Sequence, residues 1–306
     1  MSNRRAQTPL KRAILLALPF IVVYFVVRSL PVKPCDFLHE ESYNLEGELD
    51  YCGPGDAEFV DLSVRKWPMN MVFKPIDKPT LGKPCRFEIH IKQFDGSPLG
   101  PDDIALSHTK KIHLMAINQG LGDYQHLHPE ADQVFDGTWR FTMTPQKEGE
   151  YKVFLDLIPL RSPRRVLLAA SFQVYGKNTE SPSLVEQLTT EIGSKTFSLK
   201  PTDNKRAGEE INLELKAIDR SGNFVRLTPV MGAFAHLVAF DRKLNGFAHL
   251  HPTEDTLPKT DNDIYSGSLS FSFIPPENGV YRLWAQIRVE DEDKETFIPF
   301  DIVVDS

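Results

Sequence analysis

The sequence has three cysteines in 306 residues, no block of basic residues in its body, and no long stretch with helical periodicity. With a net charge of −7 it lacks the electrostatic footprint of a nucleic-acid-binding protein. No motif sets a nucleophile beside a base, so no enzymatic activity is expected. The cysteines leave room for one disulfide, Cys35–Cys52, which would form in an oxidising space. Cys35, His39 and Cys52 can alternatively be read as metal-binding. Cys85 falls in an apolar strand pattern and reads as a buried thiol.

There is a single long uncharged run, Ala13 to Val27, preceded by Arg4, Arg5, Lys11 and Arg12 and closed by Arg28. Fifteen helical residues span about 22 Å, against a hydrocarbon core of ~30 Å. Extension to Leu30 would allow a thin crossing. No small-x-small cleavage site follows, so the run reads as an uncleaved anchor in preference to a signal peptide. The basic cluster would stay cytoplasmic. That places the chain as a single-pass inner-membrane protein, with its body in the periplasm or outside the cell.

Histidine is also scarce, and it is concentrated. Six of nine histidines lie in two copies of His-x12-His-x-His-Pro: His113, His126, His128 and His236, His249, His251. The flanking strand patterns repeat in the same order. Gly208-Glu-Glu-Ile-Asn-Leu matches Gly82-Lys-Pro-Cys-Arg-Phe, and Gly279-Val-Tyr-Arg-Leu-Trp matches Gly149-Glu-Tyr-Lys-Val-Phe. A duplication with a spacing of about 125 residues is too long for a solenoid. About seven short strands per copy, divided by turns, indicate an all-β protein of two tandem immunoglobulin-like β-sandwiches behind an N-terminal membrane helix. The expected divisions are an anchor over 1–30, a tether with a cysteine loop over 31–66, sandwiches over 67–176 and 193–306, and a linker over 177–192.

Each histidine pattern reads as a hairpin. Facing residues in an antiparallel pair have a constant index sum. A turn centred between Gly120 and Leu121 sets His113 against His128, and one between Lys243 and Leu244 sets His236 against His251. Residues two apart share a face, which brings three imidazoles together. Neutral imidazole suits copper, zinc, iron and nickel. Copper is preferred here because divalent affinities peak there, with zinc as the alternative. Met115 shares the face of His113. Asp156 and its counterpart Gln286 are candidates for hydrogen-bonding a ligand histidine. His90 reads as a surface strand residue, and Met69 and Met71 as core. The bland alternative is a structural or adhesion module on a stalk, whose histidines bond loop carbonyls and recur only because the domain was duplicated.

The run Met231-Gly-Ala-Phe-Ala-His236-Leu-Val, followed by His249-Leu-His251-Pro252, resembles a family of bacterial secreted or membrane-anchored proteins grouped with copper-resistance-type β-sandwich domains. His113-Leu-Met-Ala and His126-Leu-His128-Pro129 resemble the same pattern, although the first copy lacks the Gly-Ala lead. The resemblance implies an extracytoplasmic copper-binding role in sequestration or delivery. The membrane, and a membrane metal transporter or oxidase assembly factor, are the partners expected.

Overall fold

The computed structural model describes residues 9–29, 42–43, 49–50, 59–63, 67–161, 164–177, 184–253 and 258–306. Cys35, His39 and Cys52 lie outside them. Residues 1–35 and 36–306 form separate compact units.

Among its described residues the first unit has a helix, α1 (Pro9–Ser29), with Pro19 inside it and Arg28 in its last turn. Among the described residues, no helix is long and apolar enough to cross a membrane. This overturns the expected single-pass inner-membrane anchor. The physical reason is length, because the uncharged part stops at the fifteen residues between Arg12 and Arg28.

The second unit is all β. Its strands, in chain order, begin with β1 (Val60–Asp61), β2 (Met69–Pro75), β3 (Cys85–Gln93), β4 (Ile112–Asn118) and β5 (Tyr124–Leu127). Next come β6 (Glu130–Ala131), β7 (Thr138–Met143), β8 (Gly149–Leu157) and β9 (Val166–Val174). The second half runs through β10 (Thr189–Ile192), β11 (Lys195–Pro201), β12 (Ile211–Asp219), β13 (Leu227–Thr228) and β14 (His236–Asp241). It ends with β15 (Gly246–Leu250), β16 (Leu269–Phe273), β17 (Gly279–Val289) and β18 (Thr296–Val304). A further pair joins Ser42–Tyr43 to Leu49–Asp50.

These strands make two sandwiches. The first stacks sheet β9-β8-β4-β5 on sheet β2-β3-β7-β6 around Phe87, Ile89, Leu114, Trp139 and Leu155. The second stacks β13-β17-β14-β15-β1, with β18 also on β17, on β10-β11-β12-β16 around Leu213, Phe271, Leu283 and Phe300. Two pieces lie in stretches read as tether and linker. β1 adds an edge to the second sandwich by pairing with β15, and β10 pairs with β11.

Alternation explains β3, where Phe87, Ile89 and Ile91 point inward. His90 occupies the polar phase, bonded to Thr138 Oγ1 at 3.0 Å and Glu88 at 2.7 Å. Met69 and Met71 pack on the first core as expected, and Cys85 is a buried free thiol. β4 behaves differently, because all seven of its residues are buried. Leu114 and Ala116 face the core of their own sandwich, while Met115 and Ile117 face the other sandwich. β14 does the same, with Leu237 and Ala239 inward and Val238 and Phe240 outward. A strand covered on both faces loses its polar phase and reads as a continuous apolar run. The two sandwiches therefore share a third apolar cluster containing Met115, Ile117, Tyr124 and Phe154 from the first, and Val238, Phe240, Phe247 and Trp284 from the second.

Candidate metal centre

The two hairpins have the expected register. Leu114 pairs with Leu127 and Ile117 with Tyr124, so the index sum is 241 and its continuation sets His113 against His128. Leu237 pairs with Leu250, which sets His236 against His251 in the same way. Each ladder stops one residue before the second histidine of the His-x-His pair, where Pro129 and Pro252 offer no N–H. The six side chains emerge on the outer faces of β4-β5 and β14-β15, the faces that meet between the sandwiches.

The result is two sets of three imidazoles. Ligand atoms of His113, His126 and His128 lie within 4.8 Å of one another, as do those of His236, His249 and His251, a geometry able to hold a metal ion. His113, His126, His236 and His249 are buried, and His128 and His251 are half-buried. Burial, followed by neighbouring histidines, holds the His126 and His249 imidazoles well below their ordinary pKa. Burial also pushes His128 down to about 3, and His236 down to about 4. Rings held in this way are neutral at pH 7, and neutral imidazole is the ligating form.

Hydrogen bonds select which nitrogen carries the proton in three of the rings, His113, His126 and His236. His113 Nε2 lies 2.7 Å from the Ser107 carbonyl, and His236 Nε2 lies 2.8 Å from the Val230 carbonyl, in both cases six residues upstream. A carbonyl only accepts, so both Nε2 atoms donate and both Nδ1 atoms are left as acceptors, that of His113 turned towards His126 Nε2 at 3.0 Å. His126 Nδ1 is 2.8 Å from Gln286 Oε1, and Gln286 Nε2 in turn donates to Glu295 at 2.5 Å. The carboxylate orients the amide, and the amide oxygen draws the proton to His126 Nδ1, which leaves Nε2 bare. His249 Nδ1 faces the Asp156 carboxylate at 3.8 Å, and its Nε2, like His236 Nδ1 and His128 Nε2, is buried with no hydrogen-bond partner.

Gln286 makes the hydrogen bond to a histidine expected from the sequence, and Asp156 stands 3.8 Å from another, in both cases across the interface. Each pairs in its own sheet with the first histidine of its own copy, His113 or His236. Each then reaches the middle histidine of the other copy. Asp156 is also held by Arg165, whose Nε lies 2.9 Å from both carboxylate oxygens. Met115 is on the histidine face, packed in the apolar cluster between the sandwiches.

Sequence reasoning missed a seventh histidine. His108, buried on the turn before β4, stacks on His251 of the other sandwich with ring centroids 3.8 Å apart. Its φ is 49°, and Met231, the residue five before His236, has φ 48°. The turns are alike in backbone, but the side chains differ, so no repeated residue marked them.

The repeat is also visible at family level. The sequence matches the domain of unknown function DUF8832 over residues 70–174 and again over 190–306. No curated protein matches it at a significant level. Among solved structures, the fibronectin(III)-like modules of Clostridium thermocellum CbhA align over 76% of this chain and 94% of theirs, at 11% identity and a TM-score of 0.19. Red sea bream transglutaminase aligns over 80% of this chain and 32% of its own, at 10% identity and a TM-score of 0.22. The expected tie to copper-resistance-type domains finds no support among these matches, and the family match shows a repeated domain without a stated role. With both sandwiches matched and more than half of its length covered, the chain belongs to the DUF8832 family.

Proposed function

We propose that this protein binds two transition-metal ions, copper foremost, one in each three-histidine set, and that it sequesters or delivers them. The observation that carries this reading is a pair of converging lone pairs. His113 Nδ1 and His126 Nε2 lie 3.0 Å apart, and both rings already donate from their other nitrogen. Two acceptors at that distance repel unless a cation lies between or beside them. A proton is disfavoured, because burial holds His126 well below the ordinary histidine pKa. A metal ion with bonds of about 2.0 Å in tetrahedral geometry separates its ligand nitrogens by about 3.3 Å, close to this spacing. Bare buried nitrogens on His236 and His249 give the second set the same character.

Three imidazoles do not select a metal by themselves, but affinity among divalent first-row ions peaks at copper, with zinc behind. His128 lines a surface cleft of about 620 Å³ with Arg86, Glu130 and Arg140, which gives the first set a route to solvent for exchange.

The test is to equilibrate the purified chain separately with Cu(II), Cu(I) and Zn(II) and count the bound ions. We expect about two per chain, falling to about one in His126→Ala/His128→Ala. Fewer than one ion at micromolar free metal would sink the proposal. A structural role is the competing reading, favoured by the 2.8 Å bond from His126 to Gln286 that ties the sandwiches together. That role gives no bound ion, together with a loss of stability in the same variant.

A further inference from the structure

We infer that the two three-histidine sets form one dinuclear centre, and that it takes a small anion as a bridge between its ions. This rests on the metal-binding reading above and adds to it a ligand class and a coupling. The separations are the first ground. Within the sets, ring centroids lie between 4.6 Å, for His249–His251, and 5.5 Å, for His236–His249. Across the sets, His126–His249 is 5.3 Å and His113–His249 is 5.5 Å. His249 is therefore as near to His113 and His126 of the other set as to His236 of its own. Bonds of about 2.0 Å keep each ion beside its rings, which places the two ions within reach of one small ligand.

Charge is the second ground. Two divalent ions would bring four positive charges into a site whose six ligands are neutral rings. The carboxylates in the surrounding shell are already engaged, Asp156 by Arg165 and Glu295 by Arg288 and Gln286. Buried charge requires a counter-charge at close range. The protein offers none in the ligand sets, so an anion from solvent supplies it.

Access and size are the third. The cleft at His128 is lined by Arg86 and Arg140, which are paired with Asp77 and Glu88, and by Glu130, and it opens the first set towards solvent. Inside, His108 stacks on His251 and lies 6.0 Å from His236, 6.2 Å from His249 and 6.2 Å from His113. Its ring stands beside both sets and crowds the space between them, so the bridging anion should be a small one, of the size of hydroxide or azide.

The experiment loads the whole chain with two equivalents of Cu(II) and reads electron paramagnetic resonance before and after adding azide. A dinuclear centre gives a double-integrated intensity well below two spins per chain, and one azide titrates per pair of ions with a new charge-transfer band. His126→Ala/His128→Ala should bind one ion and restore a full single-spin signal. Two bound ions with full two-spin intensity, before and after azide, would overturn the coupling while leaving metal binding intact. Absence of bound copper in the wild-type chain would remove both.

Discussion

Glu295 never approaches a candidate metal ligand directly in the hydrogen-bond chain, yet it decides the protonation pattern of one. It fixes the amide of Gln286, the amide oxygen claims the proton on His126 Nδ1, and Nε2 is left to ligate. Outer-shell partners of this kind are typically worth 10–100-fold in metal affinity. Gln286→Ala should therefore weaken binding at the first set by about that factor in a chelator competition, with the ion count at saturation unchanged. The four histidines held below their ordinary pKa, His126, His128, His236 and His249, also make the metal-free protein sensitive to acid. For His236 the folded pKa is about 4, against 6.5 unfolded. The unfolded chain therefore takes up the proton first, and stability falls as pH drops from 6.5 towards 4. At pH 5 this histidine alone costs about 2 kcal/mol relative to pH 7, measurable as a lower urea midpoint for metal-free protein. Little of this was hidden in principle. Asp156 and Gln286 stood out as counterparts in the repeat, but their reach across the interface depends on how two sheets stack, which no local pattern encodes. His108 escaped because its counterpart is Met231.

At the scale of elements, the hairpins were the most legible part of the chain. A side-chain period of two and a turn of known centre determine a register, and both pairs have the index sums that the turns imply. The N-terminal run was the least legible, because apolar composition suggests a span while length decides whether there is one. β1 was not legible at all, since two residues carry no periodicity. Its place depends on Gly246, where a Cβ would lie 1.7 Å from the Val60 carbonyl oxygen. Gly246→Ala should strip β1 from the edge of β15 and destabilise the second sandwich by about 1–3 kcal/mol. Chemical denaturation would read the loss, and limited proteolysis should open the chain between residues 59 and 67. A variant as stable as wild type would mean that β1 contributes nothing to the edge it covers.

For the whole molecule, the apolar cluster and the histidines occupy one interface, so filling the metal sites should stabilise the pair of sandwiches together. A ligand that binds only the folded state at 100 times its Kd contributes about 2.7 kcal/mol per site, or a rise of roughly 5–10 °C in Tm for a body of this size. Calorimetry with and without Cu(II) checks this, and a single transition shifting as one is the expected form. Two transitions, only one of which moves, would show that the sandwiches melt independently of the centre.

The interface has one more property. His126 of the first half meets Gln286 of the second, and His249 of the second meets Asp156, the residue equivalent to Gln286, in the first. Tyr124 packs on Trp284 while its equivalent Phe247 packs on Phe154, the equivalent of Trp284. Contacts that exchange in this manner are those of an isologous interface, in which one patch meets itself about a two-fold axis. A chain with only one such domain would already have what it needs to associate with its twin and close both histidine sets. Duplication would then have fused a symmetric dimer into a single polypeptide, and freed its halves to diverge into the His108 and Met231 turns.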